Sequence, residues 1–324
     1  MTAASMNRGR ETAERRVDHV TRLLGDLVGG LLTEADVTDI ILNPDGKLWV
    51  TRLERDSECV GTMTAPQAEA LIAAIASTLH IVATRDSPIV EGELLIDGSR
   101  FEGVVPPIVS APAFAIRRKA SAVFPLARYV ERGQMTEQQK GQIEAAVVGR
   151  KNILAVGGTG AGKSTLVNAI IDAIVRLAPQ HRIVGIEDTV ELQCAAENAA
   201  FMRATATVTI RDLLRVAMRL FPTRIIVGEV RGPEALDMLM AWNTGHPGGA
   251  CTVHSDVSTP RAALTRLETM VSLATQASMQ RLIGESIGLI VCMERTDSGR
   301  RRVNQIVSVE GFDGSEYQLR TETP

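Results

Sequence analysis

The sequence is poor in aromatic residues and cysteine. Aromatic residues make up 3% of the 324 positions and the net charge is -3 at pH 7, whereas nucleic-acid surfaces favour stacking side chains and basic stripes. The four cysteines form no C-x-x-C pair, so their spacing predicts neither a zinc ribbon nor a disulfide framework. We therefore expect no zinc, no sequence-specific nucleic-acid binding, and cysteines that are buried free thiols.

Long apolar runs are also missing. The best candidate, at 70–84, is shorter than the roughly 18 residues that span a bilayer, and His80 interrupts it. Residues 1–16 lack the apolar core of a signal peptide. The sequence thus predicts a cytoplasmic protein that reaches a membrane only through partners.

The length and the ordinary content of 45% hydrophobic and 23% charged residues suit two globular domains. Hydrophobic periodicity and turn residues predict helices at 17–32 and 66–80, hairpins at 39–53 and 93–108, a strand at 113–119, and a polar helix capped by Thr136. We expect the arginines at 300–302 to lie in a solvated hairpin turn. The predicted division is a flexible tail at 1–16, an α+β domain at 17–122, a linker and helix at 123–150, and a second domain at 151–324.

The strongest pattern is GGTGAGKST at 157–165, between an apolar run at 152–156 and a helical pattern at 166–178. The spacing G-x-x-x-x-G-K-[ST] is that of a phosphate-binding loop, and its strand-to-helix context disfavours a simple glycine turn. Lys163 is placed to neutralise nucleotide phosphates, and the Ser164 hydroxyl to ligate Mg²⁺. The residues expected around the phosphates are Gly157, Gly158, Thr159, Gly160, Ala161, Gly162, Lys163, Ser164 and Thr165.

Four apolar runs after Lys151 each end in polar residues. They are NILAVG, RIVGIE, RIIVGE and ACTV, and continuous apolar runs suit strands buried on both faces of a parallel sheet. Ligands of such sheets lie at the carboxyl ends of the strands, so the polar residues are predicted to converge on one nucleotide. The fold class is therefore α/β, with a RecA-like P-loop domain after a smaller α+β domain.

Hydrolysis of ATP requires a metal, an oriented water and positive charge near the γ-phosphate. Glu229 follows an apolar strand at the position of a Walker B carboxylate, which lies near the metal. Glu187 and Asp188 end another strand and are candidates to orient or deprotonate water. The sequence leaves the roles of Glu187 and Glu229 open, and each carboxylate has the alternative of capping a loop.

Two histidines and several arginines complete the candidate site. His254 ends the ACTV strand and is a candidate γ-phosphate sensor, whereas His246 lies in a glycine-rich loop and could equally be structural. Among the arginines around the Glu229 strand, Arg231 is the candidate for a nucleotide or subunit-interface role. Arg100 and Arg117, in or after short strands of the first domain, are candidates for phosphate contacts or plain surface charges.

Together, GGTGAGKST, RIVGIEDTVEL at 182–192, RIIVGEVRG and TGHPGGACTVHS at 244–255 resemble the Walker A, Asp, Walker B and His boxes of the secretion and traffic ATPases. The similarity is greatest to the conjugal-transfer branch of type IV secretion systems. It covers residues from about 37 to 302, and the chain has no tetracysteine module of the kind found in type II secretion relatives.

This resemblance implies a homohexamer in which nucleotide lies between two domains and arginines of the first domain, here Arg100 and Arg117, reach the phosphates. It also implies ATP and Mg²⁺ as ligands and inner-membrane secretion components as partners. A type II secretion or pilus motor and an ATP-gated scaffold with little hydrolysis remain alternatives. A nucleic-acid motor and a GTPase are disfavoured, since no guanine-reading N/T-K-x-D motif is present.

Overall fold

The computed structural model describes residues 3–52, 55–118, 123–205, 207–296 and 299–321, with side chains described from residue 15 onward. The chain forms two compact units, Met1–Ser121 and Ala122–Pro324. Across the ranges just given, no helix combines the length and the apolar character needed to cross a bilayer.

The first unit is an antiparallel sheet with helices against one face. Its sheet order is β3-β2-β1-β6-β5-β4. Buried Ile40, Phe101 and Ile116 share a core with the apolar sides of the two helices, represented by Leu24 and Leu71. The elements are α1 (Ala3–Thr33), β1 (Val37–Leu42), β2 (Lys47–Arg52), β3 (Glu58–Thr62), α2 (Ala65–Thr78), β4 (Ile89–Glu93), β5 (Arg100–Val104) and β6 (Ala113–Arg117).

Local sequence patterns predicted this unit well, apart from its beginning. The hairpin at 39–53, helix α2 and strand β6 are confirmed, although Leu53 and Lys119, at the ends of two of these predictions, lie outside the described residues. The hairpin predicted at 93–108 lies earlier, at 89–104, because its first strand is β4 and residues 94–99 form the turn. Helix α1 already begins at Ala3, so the predicted tail is helical from that residue. Alanine, glutamate and arginine, which favour helix, are frequent there and explain the difference.

The second unit carries the predicted P-loop architecture. Its elements are α3 (Leu126–Glu131), α4 (Glu137–Val148), β7 (Ile153–Gly157), α5 (Lys163–Leu177), β8 (Ile183–Glu187), β9 (Ala199–Arg203), α6 (Ile210–Ala217), β10 (Arg224–Val230), α7 (Glu234–Asn243), β11 (Ala250–His254), α8 (Pro260–Ser272), α9 (Gln280–Ser286), β12 (Leu289–Arg295), β13 (Arg301–Phe312) and β14 (Tyr317–Thr321). As predicted, Thr136 caps α4, its hydroxyl accepting from the Gln139 backbone N–H.

The sheet of this unit has the order β14-β13-β12-β7-β11-β10-β8-β9. Pairs from β12 through β9 are parallel, and β13 and β14 extend the sheet antiparallel. Residues of β7 alternate between two cores, with Leu154 against α6 to α9 and Ile153 against α3 to α5. Burial on both faces explains the continuous apolar runs. The predicted α/β fold with a RecA-like sheet is confirmed.

All four cysteines are free, as expected. Cys251 and Cys292 are buried in the second unit, whereas Cys59 is exposed on the edge strand β3. The expectation that all the thiols are buried is therefore wrong for Cys59, and Cys194 is only half-buried.

Arg224, the first residue of β10, is 1% exposed and has backbone carbonyls rather than carboxylates as its oxygen partners. Its guanidinium donates to the oxygens of Gly248 and Val147 at 2.9 and 2.8 Å, and to His181 Nδ1 at 3.0 Å. Burial, assisted by Arg150, lowers the pKa of Arg224 to about 10, so it stays charged at neutral pH. No pattern in the sequence distinguishes this buried cation from surface arginines.

Replacing Arg224 by methionine is expected to destabilise the second unit by about 2–4 kcal/mol, because the buried acceptors lose their donor. Urea unfolding followed by circular dichroism measures the effect. Arg215→Met is the control, since Arg215 is exposed on α6 and lies 3.9 Å from Asp212; it should change stability by less than about 0.5 kcal/mol. Equal effects of the two substitutions would contradict a special role for Arg224.

Candidate functional site

The segment from Gly158 to Gly162 joins the carboxyl end of β7 to the amino end of α5. Gly160 and Gly162 have φ angles of +73° and +93°, which residues with a Cβ adopt at a cost. Gly157 is required for a different reason: a Cβ there would lie 2.4 Å from the Met293 carbonyl oxygen. The glycines thus allow both the turn and the close approach of β12.

Helix α5 begins at Lys163, so the first-turn N–H groups, including those of Ser164 and Thr165, have no acceptor within the helix. Such a terminus attracts phosphate. The Lys163 ammonium donates to the Gly158 oxygen at 2.9 Å, across the loop. Partial burial lowers the pKa of Lys163, and the negative charge of Glu229 opposes that shift. A phosphate in the loop would oppose that shift further.

Glu229, Asp188 and Arg231 form one charged cluster at the carboxyl ends of β10 and β8. Arg231 donates through Nε and Nη2 to Glu229 Oε2 at 2.9 and 2.6 Å, and through Nη1 to Asp188 Oδ2 at 2.8 Å. A cavity of about 280 Å³ adjoins the cluster, and Arg211 and Thr209 also line it. Two of the predicted carboxylates, Glu229 and Asp188, therefore lie together, and Arg231 bridges them.

Glu187 has different surroundings from Glu229. It is 4% exposed, and its Oε2 accepts from the backbone N–H groups of Glu191 and Leu192 at 2.7 and 2.9 Å. These bonds hold the loop that follows β8. Glu229 has a 20% exposed side chain beside the cavity. The structure thus separates two carboxylates that the sequence could not distinguish.

The two histidines lie at opposite ends of β11. His254 is the last residue of the strand and pairs in register with Gly157, the first residue of the P-loop motif. Its Nε2 is 3.2 Å from Asp256 Oδ1. His246 precedes the strand and therefore lies near the amino end of β11, away from the carboxyl ends where the P-loop begins. Their proximity in sequence does not place both histidines at the nucleotide site.

In the first unit, Arg100 and Arg117 are directly opposite each other on the neighbouring strands β5 and β6. Residues opposite each other in an antiparallel pair share one face of the sheet. Arg117 Nε is 2.8 Å from Asp39 Oδ1, which holds its orientation. The structure thus makes a two-arginine patch from residues 17 positions apart in the chain.

Arg301 was not recognised as a site residue from the sequence. The cluster at 300–302 was assigned to a hairpin turn, but Arg301 and Arg302 lie in β13; Asp297 and Ser298 of the predicted turn are outside the described residues. A Cβ built on Gly162 would lie 3.3 Å from Arg301 Cδ, so the arginine stem packs against the P-loop. No spacing pattern in the sequence identifies Arg301 as a neighbour of the P-loop.

The residues present fit a magnesium ion that is bound together with nucleotide. Mg²⁺ keeps several waters and takes one or two protein oxygens plus phosphate oxygens. The Ser164 hydroxyl at the start of α5 and the Glu229 carboxylate are oxygen donors of this type. In the parts of the chain that the structure describes, no group of three or more His, Cys, Asp or Glu side chains could hold a metal ion.

Comparison with known proteins identifies relatives of this chain. The family model described as "Type II/IV secretion system protein" matches residues 15–311. The chain is 50% identical over 295 residues to the conjugal transfer protein TrbB of Rhizobium radiobacter, covering 91% of this chain and 90% of the relative. It is 47% identical over 308 residues to a probable TrbB of Sinorhizobium fredii, covering 95% and 94%.

Among solved structures, the pilus retraction motor PilT with bound ADP superposes with a TM-score of 0.63 at 19% identity. The match covers 93% of this chain and 83% of PilT, and at this identity it supports the fold alone. The fold, the four ordered motifs and the near full-length relatives agree: this chain belongs to the type II/IV secretion system protein family, in the conjugal-transfer branch that its motifs indicated.

Proposed function

We propose that this protein hydrolyses ATP with Mg²⁺ to power pilus assembly or substrate transfer in a conjugative type IV secretion system. One observation carries the proposal. The Lys163 ammonium of the P-loop interacts electrostatically with the Glu229 carboxylate at the carboxyl ends of parallel strands of one sheet, and Glu229 also lines a cavity. The conjugal-transfer names of the near full-length relatives favour conjugation over a type II secretion or pilus motor.

In the proposed site, Lys163 and the N-terminus of α5 bind the β- and γ-phosphates. Glu229 orients and activates the attacking water, and Asp188 and Arg231 fix the position of that carboxylate. His254, beside Gly157, senses the γ-phosphate. Mg²⁺, when bound through Ser164 and the water shell near Glu229, supplies positive charge to the phosphate oxygens. Glu187 contributes by holding the loop after β8.

We further propose that the two units act as an N-terminal domain and an ATPase domain within a homohexamer. Arg100 and Arg117 would then contribute charge to the bound phosphates, and loss of the γ-phosphate would weaken that attraction and let the domains move apart. The relatives' names place them in conjugal transfer. We propose that the ring lies in the cytoplasm and docks on inner-membrane components of the transfer apparatus.

Hydrolysis of ATP by size-fractionated protein tests this function. Turnover is expected in the fraction near six times the 34.8 kDa chain mass, and chelating Mg²⁺ with EDTA should abolish it. Single-stranded DNA should leave the rate unchanged. Tight ATP binding without turnover in every fraction would contradict the motor and support a nucleotide-gated scaffold instead.

A further inference from the structure

The groups proposed to act on the γ-phosphate lie to one side of β7. Strands β11, β10 and β8 follow one another on that side, and they carry His254, Glu229 and Asp188 at or just after their carboxyl ends. The opposite neighbour of β7 is β12, which continues into β13. If the γ-phosphate points toward Glu229, the α-phosphate and the nucleoside extend away from it, and the β12–β13 hairpin is the structure on that side.

The strand register decides which hairpin side chains face the P-loop. Met293 pairs with Val303, and both are buried against α5 in the same core. The pair two positions further along the strands, Arg295 and Arg301, therefore points to the same face. Between them, Arg302 pairs with Glu294 on the other face, with Arg302 Nε 2.5 Å from Glu294 Oε1.

Contacts fix Arg301 beside the loop. Its Cδ would be 3.3 Å from a Cβ on Gly162, the residue immediately before Lys163, and Met293 Cε would be 3.6 Å away. The backbone N–H of Val303 donates to the Gln134 oxygen at 2.7 Å, which joins this end of the hairpin to the segment after α3. Burial raises the pKa of the Tyr129 hydroxyl on α3, and the positive charge of Arg301 opposes this shift. The guanidinium charge therefore acts next to the P-loop and α3.

We propose that Arg301, with Arg295 beside it, binds the α-phosphate of the nucleotide, on the side of the P-loop opposite the catalytic carboxylates. This rests on the proposed nucleotide-binding function and adds a subsite to it. A guanidinium presents paired donors that match phosphate oxygens. Because the α-phosphate is present in both ATP and ADP and does not react, Arg301 contributes equally to both complexes and to the transition state. It sets nucleotide affinity rather than the rate of the chemical step.

The test compares Arg301→Ala with Arg302→Ala, which removes the adjacent arginine from the opposite face of the same hairpin. Binding of ADP, of a non-hydrolysable ATP analogue and of pyrophosphate is measured by titration calorimetry, together with kcat and KM. For Arg301→Ala, we expect ADP and the ATP analogue to bind about 10- to 100-fold more weakly, with KM raised to a similar extent. Pyrophosphate affinity and kcat should stay within about threefold, since neither depends on the α-phosphate. Arg302→Ala should bind all three ligands like the wild type.

Arg301→Lys adds a check on the paired-donor geometry, and it should recover only part of the lost ADP affinity. The inference is overturned if Arg301→Ala binds ADP as tightly as the wild type. It is also overturned if pyrophosphate binding falls as much as ADP binding, because the substitution would then act through the P-loop itself. If the wild type bound no nucleotide, the proposed function would fail; normal turnover with normal ADP affinity in Arg301→Ala would defeat only this inference.

Discussion

Glu229→Gln is expected to lower kcat for ATP hydrolysis about 100- to 10,000-fold, the range typical of a general base, while leaving ATP affinity within about threefold. Glutamine keeps the size of the side chain and its acceptor oxygen but loses the negative charge that activates water. Glu229 lies beside the cavity and is held by two hydrogen bonds from Arg231, so the neutral side chain keeps its place. Steady-state hydrolysis and nucleotide titration together separate the two effects.

Glu187→Gln is the informative comparison, because the sequence alone did not separate these carboxylates. Glu187 is buried and accepts two backbone hydrogen bonds, so its substitution should loosen the loop after β8 and lower thermal stability. Glu285→Gln, on the surface of α9, serves as a control and should change neither kcat nor thermal stability. A Glu229→Gln protein that turned over ATP at the wild-type rate would exclude Glu229 as the activating carboxylate.

Lys163→Ala is expected to weaken ATP binding by about 30- to 5,000-fold, corresponding to about 2–5 kcal/mol for nucleotide phosphates that lose a partly buried cation. The ammonium is held across the loop by the Gly158 oxygen at 2.9 Å, and burial lowers its pKa. A bound polyphosphate favours the charged form of Lys163, so the lysine is charged when it contacts the nucleotide. Fluorescent-nucleotide titration measures the loss, and hydrolysis at ordinary ATP concentrations should vanish with it.

Lys140→Ala controls for removal of a lysine from the same unit. Lys140 lies on α4, where it pairs with Glu137 at 3.1 Å, and its loss should leave nucleotide affinity unchanged. Wild-type ATP affinity in Lys163→Ala would exclude the GGTGAGKST segment as the nucleotide site. Retained affinity together with lost turnover would instead restrict Lys163 to stabilising charge in the transition state.

Local chemistry explains which parts of this protein were predictable. Four of the buried strands were visible as apolar runs because both faces of the sheet are covered, and the P-loop was visible because its turn demands glycines at fixed spacing. The hairpins and helix caps of both units likewise rest on turn and cap residues close in sequence. The early start of α1 at Ala3 was missed because polar helix formers give no apolar stripe.

The α/β class, the P-loop, the order of the motifs and the family follow from residues that are close together in the chain. Packing between distant segments, in contrast, buries Glu187 while Glu229 faces the cavity, places His246 and His254 at opposite ends of β11, and buries Arg224. It also brought Arg301 to Gly162, a neighbour far away along the chain. Strand order and register set these relations, and both arise from burial and pairing between distant segments, which the spacing of neighbouring residues does not encode.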